Sequence, residues 1–157
     1  MIRPLVMAVL LGLMLAPAPA PAQPSPELRE AILAYRLTQP LADKLLAALP
    51  EMTRYVMAKP NARELIARAR TQSLAERTAQ VEADPGAMAI LRKHGLGARE
   101  YVVGVPALRM AILRAQSAEA GGGGLVVVSP ENLAFARAHL AELKPRLDAA
   151  DRGATPR

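Results

Sequence analysis

The chain is predicted to fold as an all-α bundle of about five to six helices, kinked at prolines and without a substantial sheet. Three observations carry that expectation. Good helix formers fill nearly every segment, and aromatic residues make up only 3% of the chain. Apolar residues recur at spacings of three and four, whereas strand-like alternation never persists. Cap signals, a Ser, Thr or Asp followed by proline, open most of these stripes. No internal repeat of fixed period is present.

The first segment stands apart. Met1-Ile2-Arg3 is a short basic lead, Leu5 to Leu15 is apolar throughout, and "APAPAPAQPSP" follows. This is the layout of a secretory signal peptide. The apolar run is shorter than the roughly 20 residues a spanning helix needs. Cleavage after Ala18 or Ala20 would leave proline at the cut bond. Cleavage between Ala22 and Gln23 avoids this, so residues 1–22 are expected to be removed. Localisation in the periplasm or outside the cell is the expectation, with no transmembrane segment after signal removal. The chain has no cysteine, so it has neither disulfides nor the anchor residue of a bacterial lipoprotein. Removing 22 residues from 157 leaves about 135, the size of one domain. Residues 23–150 are expected to form it, and residues 151–157 a disordered tail.

The helices follow in order. Ser25-Pro26 opens the first, with Leu28, Ile32 and Tyr35 on one face and an end near Leu37. Thr38-Gln39-Pro40 opens the second, with the stripe Leu41, Leu45, Leu49, Met52 and Val56. Pro50 lies inside that stripe and predicts a kink or a break, because it removes a backbone donor and crowds the preceding turn. Asn61 caps a third helix predicted to run to about Ala83, with Leu65, Ala69, Leu74, Thr78 and Val81 inward. Arg63, Arg68, Arg70 and Arg77 lie on its other face. Asp84-Pro85 opens a short helix that ends at Gly95, a candidate left-handed C-terminal residue. The next helix spans about Ala98 to Ala118. The last opens at Ser129-Pro130-Glu131 and runs to about Ala150, with Leu133, Ala136, Leu140, Leu143 and Leu147 as its seam. Pro145 near its end predicts a bend. Four glycines, Gly121 to Gly124, make a flexible loop. Leu125 to Val128 reads as an extended segment lying on the bundle.

The corner "LRKHGLGAREYV" has the glycine-containing turn of a helix-turn-helix, and a sequence pI of about 10.3 would suit nucleic acid. The helix after it does not. "YVVGVPALRMAIL" carries Arg109 as its only charge, the mark of a buried element. No nucleic-acid partner is expected. His94 reads as a polar group near the negative end of its helix, beside Arg92 and Lys93. His139 is the other histidine, and two histidines without His-x-x-x-His, Glu-x-x-His or cysteine predict no metal site and no cofactor. Covalent haem attachment needs cysteine, and the methionines read as core filling. No nucleophile elbow is present. Ser25, Ser73, Ser117 and Ser129 sit at caps or among polar helix residues, and Asp84 reads as a cap. The tetraglycine lacks the Gly-Lys-Ser/Thr end of a phosphate loop. No catalytic residue is expected, and the chain is read as no enzyme.

From Asp84 to Leu140 the chain reads "DPGAMAILRKHGLGAREYVV" and later "VSPENLAFARAHLAEL". This stretch resembles a group of small secreted all-helical bacterial proteins of unassigned function. Their pattern has an Asp-Pro start, a Gly-Leu-Thr-x-Arg-Glu-Tyr corner and a closing Ser-Pro-x-Asn-x-x-Phe helix. Gly97 departs from the capping Ser or Thr of that corner, and Pro106 interrupts the helix after it. The resemblance implies a helical fold and export, and it brings no catalytic residues. Leu37-Thr38-Gln39-Pro40-Leu41 departs at its last position from the Leu-Thr-x-x-Gln motif of small periplasmic helical chaperones.

Two functional classes remain. The first is a non-enzymatic periplasmic binding or chaperone-like protein with a basic surface. Loss of Arg3 takes the 20 basic residues to 19 against 14 acidic ones. Arg63, Arg68, Arg70 and Arg77 form the densest basic patch, suited to acidic or unfolded protein clients or to anionic lipid. The alternative is a small-ligand or lipid-binding bundle with an internal apolar pocket near the Gly104-Val105-Pro106 bend.

Overall fold

The computed structural model describes residues 25–119 and 127–153. The expected signal peptide, its cleavage site at Ala22-Gln23, the tetraglycine, Leu125, Val126 and residues 154–157 lie outside the described residues. Among the described residues the chain forms eight helices and no strand. They are α1 (Pro26–Ala34), α2 (Gln39–Met57), α3 (Ala62–Ala69), α4 (Leu74–Glu82), α5 (Pro85–Lys93), α6 (Ala98–Glu119), α7 (Pro130–Ala138) and α8 (Leu140–Gly153).

The all-α class is as expected, and the number of helices exceeds five to six because two predicted helices divide. The first division lies at residues 70–73. Ser73 Oγ accepts from the Glu76 backbone N–H at 3.2 Å, and the Glu76 carboxylate accepts from the Ser73 N–H at 2.7 Å. This reciprocal cap starts a new helix inside a run of good helix formers. The second division lies at His139, whose carbonyl accepts from both the Glu142 and Leu143 N–H groups and starts α8. The apolar seam survives the break: Ala136, Leu140, Leu143 and Leu147 are all buried.

Neither Pro50 nor Pro106 breaks its helix: α2 runs through the first and α6 through the second. Burial on several sides holds these two helices where local preference alone would end them. The first helix is shorter than expected, since Tyr35 is already extended. The last is longer. α8 continues to Gly153, and Arg109 pairs with Asp151 through both guanidinium nitrogens. Asp151 and Arg152 are thus helical, where a disordered segment was expected to begin.

α6 is the central element and packs against α1, α2, α4, α5, α7 and α8. The larger core cluster joins its Leu108, Ala111, Ile112 and Ala115 to the seams of α2, α5 and α8. A smaller one joins Leu28 and Ile32 of α1 and Leu74 of α4 to Val103 and Ala107. Gly104 permits the close crossing between them. A Cβ there would stand 2.8 Å from the Tyr35 hydroxyl and 2.9 Å from Leu45. The space directly at Gly104 is thus filled by Tyr35 and Leu45. Val127 is exposed and Val128 half-buried against the core. They form no strand, as the absence of a partner segment predicts.

Candidate functional site

The α5–α6 corner ends as its sequence predicts. Gly95 has φ 65°, the Leu96 N–H donates to the Leu91 carbonyl at 2.9 Å, and the Gly95 N–H donates to Arg92 at 3.0 Å. Those bonds close a Schellman motif. His94 is more tied down than a lone polar group at a helix end. Its Nε2 lies 3.2 Å from Glu51 on α2, and Lys93 Nζ donates to the same carboxylate at 2.8 Å. Lys44 Nζ donates to the Gly95 carbonyl at 3.3 Å. The corner is fastened to α2 from both sides, by contacts no local pattern announces. His139 caps α7 and stacks on Phe135, with ring centroids 4.8 Å apart.

The serines account for themselves. Ser25, Ser73 and Ser129 each accept a backbone N–H at a helix start, and Ser117 donates to the Leu113 carbonyl. Asp84 caps α5 by accepting from the Gly86 and Ala87 N–H groups. It also accepts from the Tyr55 hydroxyl at 2.6 Å and from Lys59 Nζ at 2.5 Å. Burial pushes the Asp84 carboxyl upward. The bonds from Lys59, Tyr55 and Ala87 and the Lys59 charge outweigh that and hold it at about 2. Burial raises both Tyr35 and Tyr101 to about 12. They stay protonated, and the Tyr35 hydroxyl serves as a donor to the Glu100 carbonyl. Among the described residues no group of three or more His, Asp and Glu side chains is placed to hold a metal ion.

The division at residues 70–73 changes the basic patch. Arg63 and Arg68 lie on α3, and Arg70 ends it with helical dihedrals. Arg77 stands beyond the break on α4, half-buried, with its Nε enclosed and without a partner among the described residues. Burial lowers its pKa. The four arginines therefore do not form one face. Of the other three, all exposed, Arg63 and Arg70 share one stripe of α3, and Arg68 lies on another side of it. Arg68 is paired with Glu64 at 2.6 Å. Arg63 and Arg70 have no ion-pair partner among the described residues. Ile66 lies between these two on one stripe of the helix, at i+3 from Arg63 and i−4 from Arg70. It is 40% exposed.

α3 is thinly attached. Ala62 is its one buried residue, while Leu65 and Ala69 are half-buried. A groove of about 240 Å³ lies along its inner side, floored by Met52, Val56, Val81 and Ala87, with Lys59 and Asp84 among its lining residues. A second recess, a cleft of about 560 Å³, lies between the end of α1 and the first turn of α6. Ala31, Ala34, Tyr35, Ala98 and Val103 supply its apolar lining, and Glu82, Arg99 and Glu100 its charges. Sequence reasoning located neither recess, because each is formed by residues from separate helices. Gly97, which in the sequence departs from the capping Ser or Thr of the corner pattern, lines the cleft. Nothing lies within 4 Å of the position a Cβ would take there.

None of the described helices is long and apolar enough to cross a membrane. No family model matches this chain, and no curated protein or solved structure is significantly similar to it.

Proposed function

We propose that the protein is an exported, non-enzymatic binding protein that holds acidic segments of client proteins on the surface of α3. One observation carries this reading. Arg63 and Arg70 are exposed, lack carboxylate partners among the described residues, and flank the exposed Ile66. Arginine pairs with carboxylates in two-point geometry, and its stem covers apolar surface. With Arg3 lost, the 19 basic and 14 acidic residues leave a net charge of +5, which attracts acidic partners from a distance. Export rests on the apolar run and Ala-Pro segment ahead of Gln23. In a Gram-negative host the protein is expected in the periplasmic fraction with Gln23 as its N-terminus. Recovery in the cytoplasm with Met1 retained would remove the periplasmic part of the reading.

The binding part is tested with Arg63→Gln/Arg70→Gln. Gln is a comparable helix former, so the double variant changes charge with little effect on α3. Wild type is expected to bind an acidic peptide with an affinity that falls as salt rises, and the variant to bind it at least about tenfold more weakly. Equal binding by both proteins would refute the role of α3.

The cleft beside α1 favours a second reading, a carrier of a small amphiphile. Its volume of about 560 Å³ falls within the roughly 300–1,000 Å³ of ligand sites. Mass spectrometry of the protein under native conditions checks it. An amphiphile retained by wild type and lost on Ala34→Trp would establish the carrier role. A ligand-free spectrum, with no binding of a fatty acid added in excess, would eliminate it.

A further inference from the structure

We infer that the groove beneath α3 receives the apolar face of one acidic, amphipathic helix from a partner protein. This deepens the proposed function and rests on it. The argument starts from under-packing. α3 spans eight residues and fully buries only Ala62. Leu65, Ile66 and Ala69 line the groove from one side, and Met52, Val56 and Val81 from the other. Apolar side chains thus face each other across a gap of about 240 Å³. That space suits one or two aliphatic side chains and falls below the roughly 300 Å³ at which ligand sites begin.

Charge specifies the rest of the occupant. The nearby carboxylates are engaged: Glu64 with Arg68, and Asp84 with Lys59 and Tyr55. Gln72 Nε2 donates to Gln80 Oε1 at 2.8 Å, while Gln72 Oε1 is buried without a hydrogen-bond partner among the described residues. Among the described residues Arg63 and Arg70 are left without an ion-pair partner on either side of Ile66. A helix that lays apolar residues at i and i+4 into the groove brings its flanking positions to these two guanidinium groups. Glu or Asp at those positions completes the contact, the helix-in-groove mode of recognition. A second copy of this chain fits poorly. A two-fold contact through α3 would bring like-charged arginines together on an exported chain whose 19 basic and 14 acidic residues leave a net charge of +5. A lipid surface fits poorly as well, because insertion needs a wide apolar face. The exposed large hydrophobic on α3 is Ile66 alone.

The test uses three synthetic peptides of about 20 residues, long enough to hold a helix. One carries Leu on a single face with Glu beside it. One has the same composition with Leu scattered. One replaces Glu by Lys. Fluorescence anisotropy is measured against wild type, Arg63→Gln/Arg70→Gln, Ala69→Trp to plug the groove, and Ile66→Glu. Thermal unfolding confirms that each variant is folded. Ile66 is already exposed, so Ile66→Glu serves even if Ala69→Trp does not fold. The amphipathic acidic peptide is expected to bind at least about tenfold tighter than the scattered one. That margin is expected to disappear in Ala69→Trp and Ile66→Glu. Equal binding of the two acidic peptides by wild type, both weakened by the arginine changes, would overturn the groove and leave the charge reading standing. Equal binding of the Lys peptide, or no binding at all, would overturn both. Two further results would also overturn the inference. One is sedimentation with vesicles of anionic phospholipid that the peptide cannot displace. The other is a dimer that Ile66→Glu dissolves.

Discussion

Asn132 and Leu37 are 95 residues apart in sequence, and the Asn132 side-chain oxygen accepts the Leu37 backbone N–H at 2.9 Å. The same amide donates to the Tyr35 carbonyl at 2.7 Å. The link between α1 and α2 thereby finds the hydrogen bonds it would otherwise have made in a helix. Asn132 is 2% exposed, the one buried polar or charged residue among those described. It stands in the first turn of α7, where its own N–H donates to Ser129.

Asn132→Ala leaves a buried donor at Leu37 and a part-buried acceptor at Tyr35 unpaired, each costing up to about 3 kcal/mol. The expected loss in stability is about 2–5 kcal/mol. Asn132→Asp keeps the acceptor for Leu37 and loses the donor for Tyr35, so it tests the two bonds separately. Urea unfolding measures both, and a loss under about 0.5 kcal/mol for Asn132→Ala would show that water replaces the amide.

Gly86 and Tyr55 form a second pair whose sign can be tested. In the first turn of a helix, Gly→Ala ordinarily stabilises by up to about 1 kcal/mol. Here an added methyl group overlaps the Tyr55 ring and hydroxyl, and Tyr55 is held by its bond to Asp84. Gly86→Ala is expected to destabilise the wild type and to stabilise a Tyr55→Ala background. The same sign in both backgrounds would show that Tyr55 moves aside freely.

Asp84 gives a pH dependence. Its folded carboxyl lies near 2, below the ordinary 3.8. A carboxyl depressed on folding contributes stability that is complete above the ordinary value and disappears as pH falls through the folded one. Thermal unfolding of wild type should therefore fall between pH 3.8 and about 2. Asp84→Asn should be less stable at neutral pH and should show a shallower decline in that window. Parallel acid limbs for the two proteins would remove Asp84 from the account.

The corner separates backbone strain from side-chain contact. Gly95→Ala must hold a positive φ and should cost about 1 kcal/mol, since Lys44 leaves room for the methyl group. His94→Ala leaves Glu51 paired with Lys93 and should cost about 1 kcal/mol or less. A loss of several kcal/mol on His94→Ala would assign the ring a larger role than fastening the corner.

The sequence by itself determined whatever is settled within one helical turn. Ser25, Asp84 and Ser129 start helices and Gly95 ends one, because a cap acts on backbone groups two to five residues away. Apolar spacing identified Leu28, Leu45, Leu143 and Leu147 as inward. Ser73-x-x-Glu76 was equally legible, and the run of helix formers around it concealed it. Tertiary structure decided the rest. Pro50 and Pro106 stay inside helices because burial on several sides outweighs a lost backbone bond. The break at residues 70–73 puts Arg77 on a separate helix and half-buries it while Arg63, Arg68 and Arg70 stay exposed, so a patch that is dense in sequence is divided in space. The partners of Asn132 and His94, and the walls of the groove and the cleft, come from separate helices. Spacing along one helix reports which side faces inward, but it does not report which helix lies opposite. That choice is made by packing.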